Sequence, residues 1–175
     1  MRLILVRHTS VDVPGGVCYG FTDVPLRTSF DVEAALVKDK LDASTFEKIY
    51  SSPLSRCAKL ADFCGYPDAI KDERLKELNF GDWEMKSWTQ ISKEEASQWF
   101  VDWLNHPAKN GESYATMNLR VTAFMDELKQ LDCNSAAIIT HGGVIRLIHV
   151  YAGIYPLEES FEFQVDYGQV FELEI

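Results

Sequence analysis

Three short segments of this chain place arginine, histidine and glycine where they could handle a phosphate ester. The apolar run LILV ends in Arg7-His8-Thr9. The run KIYS is followed by SSPLSR, which carries Arg56. The run AAIIT is followed by His141-Gly142-Gly143. An arginine fork matches two phosphate oxygens at once and stays charged. A neutral imidazole nitrogen can attack phosphorus, and a second, protonated imidazole can stabilise charge on the equatorial oxygens. Backbone N–H groups at Gly142 and at a helix N-terminus bind anions. No GxxxxGK[ST] segment occurs, so nucleotide binding of that kind is not expected.

A leaving alkoxide also needs a proton, and a carboxyl is the natural donor. Glu77, in ERLKELNFGDWE, is the first candidate, and burial beside a phosphate would hold it protonated. Glu73, Asp82 and Glu84 compete with it, and composition does not choose among them. Metal binding by His8 and His141 is the sharper rival chemistry. Zinc sites usually take three protein ligands, often at HxH or HExxH spacing, and neither spacing is present. Adjacent arginines would also repel a cation, so no metal is expected.

Strands alternating with helices would bring these segments together. Leu3–Val6, Lys48–Ser51 and Ala136–Thr140 read as short buried strands. Residues 10–28 hold three glycines and two prolines and read as a long loop. Helices are expected from Phe30 to Leu41, from an N-cap at Ser52 with Pro53 at the first position to about Gly65, from Thr116 to Leu131, and from Val144 onward. Ser92-Lys93-Glu94-Glu95 is a capping box, followed by Ala96, Trp99, Phe100, Trp103 and Leu104 at helical spacing. Phe161–Val165 and Val170–Leu173 alternate apolar and polar and read as strands around an Asp166-Tyr167-Gly168 turn. The expected fold class is α/β: a mostly parallel, doubly wound sheet with an antiparallel edge. In such a sheet all three segments reach one edge, where ligands bind.

Bulk properties narrow the class. With 175 residues, 46% hydrophobic and 25% charged, the chain has the size and composition of one ordinary globular domain. No apolar run is long enough to span a bilayer, and no signal peptide is recognisable, so a cytoplasmic location is expected. A net charge of −10 argues against nucleic-acid or anionic-membrane partners. A phosphate substrate would then depend on a local arginine cluster. Cys18, Cys57, Cys64 and Cys133 form no CxxC pair and read as reduced, mostly buried thiols.

In their order and separations, LVRHT, SSPLSR, LKELNFGDWE, NGES and THGGVIR resemble the histidine phosphatase superfamily, which includes phosphoglycerate mutases and many small phosphatases. The resemblance spans Leu3 to Arg146. It implies a phosphoglycerate mutase-like, three-layer α/β/α sandwich over 1–175, with a cap-like insertion at about 82–115. It implies that His8 is phosphorylated during turnover, that Arg7 and Arg56 grip the phosphate, and that His141 contacts its oxygens. Glu77 would protonate the leaving group and then serve as base for water. No cofactor or metal is implied. The segment GVCYGFTDVPL further resembles a loop of α-ribazole phosphatases, a branch acting on α-ribazole 5′-phosphate late in cobalamin assembly. Thr22 falls where that loop approaches substrate, beside Arg7, Arg56, His141 and Gly142. The expected partner is a small phosphate ester. A broader sugar-phosphate or metabolite phosphatase, a phosphoglycerate mutase and a non-catalytic phospho-ligand binder are the alternatives. A dimer is compatible with the sequence, which fixes no oligomeric state.

The pattern breaks at several positions. RHTS stands where RHGE is usual, Pro14 replaces an asparagine that often contacts phosphate, Met85 replaces a glycine after GDWE, and CAKLADFCG follows Arg56. Trp83, Trp88, Trp99 and Trp103 all lie between Glu77 and NGES. Trp83 and Trp88 are candidates to stack on an aromatic leaving group, whereas Trp99 and Trp103, at i and i+4, read as packing residues. Arg146 is expected in a salt bridge, and His106 and His149 in structural or exposed positions.

Overall fold

A computed structural model of the chain describes residues 1–41 and 45–175. Its elements in chain order are β1 (Arg2–Arg7), α1 (Phe30–Leu41), β2 (Lys48–Ser51), α2 (Ser55–Phe63), β3 (Ile70–Lys71), α3 (Lys93–Val101), α4 (Tyr114–Gln130), β4 (Ser135–Thr140), α5 (Gly142–Tyr151) and β5 (Val170–Glu174). Short 3₁₀ turns cover Glu73–Leu75, Gly81–Trp83 and Leu157–Glu162. The sheet order is β3-β2-β4-β1-β5. The first four strands are mutually parallel, and β5 runs antiparallel along β1 at the edge.

The two-residue period of the strands sorts their side chains into two cores. Leu3, Leu5, Tyr50, Ala136 and Ile138 point to one face and pack under α4 and α5 with Met117, Val121, Phe124, Met125, Val144 and Ile148. Ile4, Val6, Ala137 and Ile139 point to the other and meet Ala34, Val37, Leu41, Cys57, Leu60 and Ala61 of α1 and α2. Both faces of the sheet are therefore covered, which is why β1 and β4 read as continuous apolar runs. A third, smaller cluster of Cys18, Trp83, Ile91, Trp99 and Ala108 lies under the segment between Phe80 and Trp103. All four cysteines are buried, and no disulfide joins them. Among the described residues no helix is long and apolar enough to cross a membrane.

Three expected elements differ from the structure. Phe161–Val165 is not a strand: Leu157–Glu162 is a 3₁₀ turn, and β5 pairs with β1 alone, from Arg2↔Glu174 to Val6↔Val170. Carbonyls of that stretch bind arginines instead, Val165 accepting from Arg7 Nη1 and Phe163 from Arg146 Nε. Ser52 does not cap α2, which begins at Ser55 after Leu54 with no side-chain cap of its own. Asp23 covers that end, its Oδ1 accepting from the Ser55 N–H at 2.9 Å and from Ser55 Oγ at 2.7 Å. Helix α3 stops at Val101, where Asp102 Oδ1 accepts from Asn105 N–H at 3.1 Å and turns the chain, so Trp103 and Leu104 lie beyond it. The two-residue β3 was not anticipated.

Ile138 is fully buried in the central strand. Replacing it with alanine removes packing on α4 and α5, and we expect a loss of about 2–5 kcal/mol in urea unfolding with an unchanged m-value.

Candidate active site

Every segment singled out at a strand end lands at one edge of the sheet. His8 leaves β1 with its N–H donating to Thr140 O at 3.0 Å, while its own carbonyl accepts from Gly168 N–H at 3.1 Å. The main chain is thus pinned between the end of β4 and the 166–169 turn. The His8 ring is buried, and its Nδ1 lies 2.7 Å from Thr9 O. A carbonyl can only accept, so Nδ1 carries the hydrogen and Nε2 keeps its lone pair. Burial holds His8 well below its ordinary value of 6.5, the Arg56 cation adds to this, and the Thr9 hydrogen bond opposes it before Arg7 contributes. The ring is neutral at ordinary pH, with a lone pair on Nε2 that could serve as a nucleophile.

His141 precedes α5, with its ring centroid 5.1 Å from that of His8. Its Nδ1 accepts from Arg56 Nε at 3.3 Å, so Nε2 bears the hydrogen and donates to Ser52 Oγ at 2.8 Å. This contact explains why Ser52 is not a helix cap. Burial depresses His141 well below 6.5, with Arg56, His8, Arg7 and Arg120 adding their charges in that order. The expected imidazolium is therefore absent from the ligand-free site, because three cations surround it. Cys57 Sγ lies 3.5 Å from His141 Nε2, and burial pushes that thiol up to about 12, so it stays protonated.

Arg56 is fully buried. Its Nη1 donates to Thr22 O at 2.9 Å and its Nη2 to Gly20 O at 2.6 Å. Arg7 donates through Nη1 to Val165 O and stacks on Tyr167, with Cζ 3.8 Å from the ring centroid. Its buried Nε has no partner. No ion pair among the described residues involves Arg7, Arg56 or Arg146. Buried cations satisfied only by neutral acceptors call for an external anion.

A cavity of about 230 Å³ opens here, lined by Arg7, His8, Arg56, Glu77, Tyr114 and Arg146 among others. Glu77 is the carboxylate in that lining. It is half-buried rather than buried, and its oxygens accept from Leu78 N–H and Gly143 N–H, both at 3.1 Å. The rival acids are occupied elsewhere. Glu73 pairs with Lys76, and Asp82 accepts from Asn110 Nδ2 at 3.1 Å. Glu84 accepts from the N–H groups of Gly20, Phe21, Thr22 and Phe80. Burial pushes Glu84 up, but those hydrogen bonds outweigh it and hold the carboxyl below its ordinary range. Glu84 thereby orients the loop whose carbonyls hold Arg56.

Thr22, Arg146 and Trp83 sit differently from expectation, while Gly142 and His149 sit as expected. Thr22 does not line the cavity but serves Arg56 through its carbonyl. Gly142 opens α5 between the guanidinium groups of Arg7 and Arg146. Arg146 makes no ion pair among the described residues; it donates through Nε to Phe163 O and enters the cavity wall. His149 is buried against Tyr155, Phe163 and Phe171, as a structural residue. Trp83 is buried in the third cluster, and it is Trp99 that faces the cavity. Two contributors went unrecognised in the sequence. Arg120 donates to the carbonyls of Arg74, Lys76 and Glu77 while paired with Glu112, and so fixes the backbone carrying Glu77. Gly143 leaves room for the Glu77 carboxylate, because a Cβ there would overlap Glu77 Oε1 and push that side chain aside. Among the described residues no group of three or more His, Cys, Asp or Glu is placed to hold a metal ion.

The chain and its fold have known relatives. Residues 3–175 match the histidine phosphatase superfamily (branch 1). The chain belongs to the histidine phosphatase superfamily. It is 30% identical to an adenosylcobalamin/alpha-ribazole phosphatase of Salmonella typhimurium, over 96% of this chain and 87% of that one. It is also 30% identical to a putative phosphoserine phosphatase 2 of Hydrogenobacter thermophilus, over 98% of this chain and 88% of that one. The alpha-ribazole phosphatase from Shigella flexneri superposes with a TM-score of 0.91 at 28% identity, covering 100% of this chain and 91% of that one. The phosphoglycerate mutase-like sandwich expected for the superfamily is the architecture found here.

Two measurements test the geometry. Gly143→Ala should displace Glu77 and lower kcat/KM about 100-fold or more toward a phosphate ester, with thermal stability changed far less. Because His8 and His141 are held below 6.5 when folded, an unfolded chain takes up their protons first. Stability should be complete above about pH 6.5 and fall as pH drops toward the folded values, with urea midpoints recording the loss. Inorganic phosphate should reduce it by supplying the missing anion.

Proposed function

We propose that the chain is a metal-independent phosphomonoesterase acting through phosphorylated His8. The observation carrying this reading is the buried, unpartnered Nε of Arg7 beside a histidine whose Nε2 is free. A phosphate placed against Arg7 and Arg56 meets the Nε2 lone pair of His8 in line with its ester oxygen. The N–P bond forms as the P–O bond breaks, and Glu77 gives its proton to the departing alkoxide. Water then attacks phosphorus, Glu77 takes its proton, and inorganic phosphate leaves as His8 is regenerated. His141, neutral in the empty site, gains an opposite charge when the phosphate arrives, which favours its protonation. The arginines provide the positive charge that a metal would otherwise bring.

The segment at about 82–115 acts in this reading as a cap over the cavity, through Trp99. The substrate is α-ribazole 5′-phosphate, by similarity to the Salmonella and Shigella phosphatases. One observation favours a second reading. Arg146 presents a guanidinium with no carboxylate partner among the described residues, which suits a second anionic group such as the carboxylate of phosphoserine. A panel of α-ribazole 5′-phosphate, phosphoserine, 3-phosphoglycerate and ribose 5-phosphate separates the two. We expect the highest kcat/KM for the first; a preference for phosphoserine that disappears in Arg146→Ala would replace it.

The covalent step has its own test. Brief incubation with labelled substrate followed by an alkaline quench should yield an acid-labile, alkali-stable phosphoprotein, absent from His8→Ala. Turnover without trapped label at any time point would refute the intermediate, and activity lost to EDTA would refute metal independence.

A further inference from the structure

Beside the catalytic cavity lies a larger groove of about 440 Å³ whose lining is aromatic throughout: Trp88, Trp99, Phe100, Trp103 and Phe161. Trp99 and Phe161 line both spaces, so the groove continues the catalytic cavity. Its walls are built by ring-on-ring packing. Trp88 and Phe100 centroids are 5.5 Å apart, those of Trp99 and Phe100 5.3 Å, and Trp103 meets Phe161 edge-on at 4.5 Å. The rings are not consumed by this packing. Phe100 is 63% exposed and Phe161 43%, whereas every other described phenylalanine is buried or half-buried. The phosphate-handling groups, Arg7, His8 and Arg56, line the catalytic cavity and not the groove.

We propose that the groove is the leaving-group subsite and takes a planar aromatic ring system attached to the phosphate through a sugar. No charged side chain lines it, so recognition rests on stacking and edge contacts between π-faces. A phosphate fixed at His8 directs the rest of the ester past Trp99 and Phe161, the two residues shared by both spaces. This deepens the α-ribazole 5′-phosphate reading and rests on it: the ribose would cross the shared wall and the dimethylbenzimidazole base would lie among the rings. It also corrects the sequence-based choice of stacking residues. Trp83 is buried beneath the groove, and Phe100 and Phe161, not singled out in the sequence for this role, form part of its rim. The third cluster then has a purpose beyond packing, since Trp83 meets both Trp88 and Trp99 edge-on and braces the floor.

The test uses Phe100, which lies on the exposed side of α3 and lines only the groove. In Phe100→Ala the ratio of kcat/KM for α-ribazole 5′-phosphate over ribose 5-phosphate should fall about tenfold, the scale of one lost base–aromatic stack. Phe100→Trp should keep the ratio, and the fall should reside in KM. An unchanged ratio in Phe100→Ala overturns the proposal. So does a wild-type dimer, seen by sedimentation, that dissociates in Phe100→Ala, because the groove would then be covered by a second copy. If the wild type does not hydrolyse α-ribazole 5′-phosphate, the substrate reading fails by itself. The groove is then judged by 5,6-dimethylbenzimidazole as inhibitor of ribose 5-phosphate hydrolysis: inhibition weakened in Phe100→Ala sustains an aromatic subsite, and no inhibition removes it.

Discussion

A single buried guanidinium organises this site. Arg56 is fully excluded from water and, among the described residues, has no carboxylate to pair with. Burying an ion costs several kcal/mol even after relaxation, and neutral hydrogen bonds offset only part of that. The chain meets the demand with two loop carbonyls and a histidine nitrogen, and much of the surrounding structure follows. The carbonyls of Gly20 and Thr22 point at Arg56 because Glu84 binds the N–H groups on the other side of the same loop. The loop must press against Leu78 so closely that a Cβ at Gly20 would overlap the Leu78 carbonyl oxygen. Arg56 in turn fixes the His141 tautomer, and that tautomer takes Ser52 away from the end of α2. The uncompensated charge is the feature that a bound phosphate would relieve.

What could be read from the sequence follows the same division. β2 and α1 were legible to the residue, because a short apolar run and a 3.6-residue pattern are local signals. The convergence of Arg7, Arg56 and His141 was legible because parallel strands must present their ends on one edge. Ser52-Pro53 misled, since a serine before a proline is a good local cap and the competing claim of His141 is a tertiary one. Phe161–Val165 misled for a related reason. Its alternation suits a strand, but the carbonyls of Phe163 and Val165 accept from Arg146 and Arg7, a tertiary demand with no local signature. The choice of Glu77 over its rivals was beyond composition altogether. It depends on Arg120 holding three carbonyls of the 74–77 segment and on Gly143 having no side chain, neither of which has a local signature.

The overall charge of −10 and the cationic cavity are compatible because they act at different ranges. At physiological ionic strength the screening length is about 8 Å, so the acidic surface exerts little force on a phosphate already inside. Within the cavity, low dielectric strengthens the arginines. Those same cations, together with burial, keep His8 unprotonated. Nucleophile and anion clamp are thus one arrangement: the charge that would hold the phosphate also keeps the His8 lone pair available to attack it.

The departures at Thr9, Ser10 and Pro14 can be judged on that basis. Thr9 serves the site through its backbone carbonyl, which accepts from His8 Nδ1, while its buried hydroxyl has no partner. Any residue able to hold that backbone would supply the same acceptor, so loss of the usual glycine leaves the His8 tautomer intact. Ser10 is tied to Glu33 at the start of α1, where Ser29 also donates to the carboxylate, and it is absent from the catalytic lining. A glutamate at position 10 would repel Glu33, so serine there and glutamate at 33 form a matched pair. Pro14 lines a separate recess with Val13, Gly15 and Tyr19, and that recess meets the catalytic cavity at Tyr19, whose hydroxyl bonds to Tyr167 at 2.7 Å, and at Tyr167, which stacks on Arg7. The phosphate contact that an asparagine would make is therefore not rebuilt at position 14. In the proposed reaction, the buried, unpartnered Nε of Arg7 would carry that share of the phosphate charge.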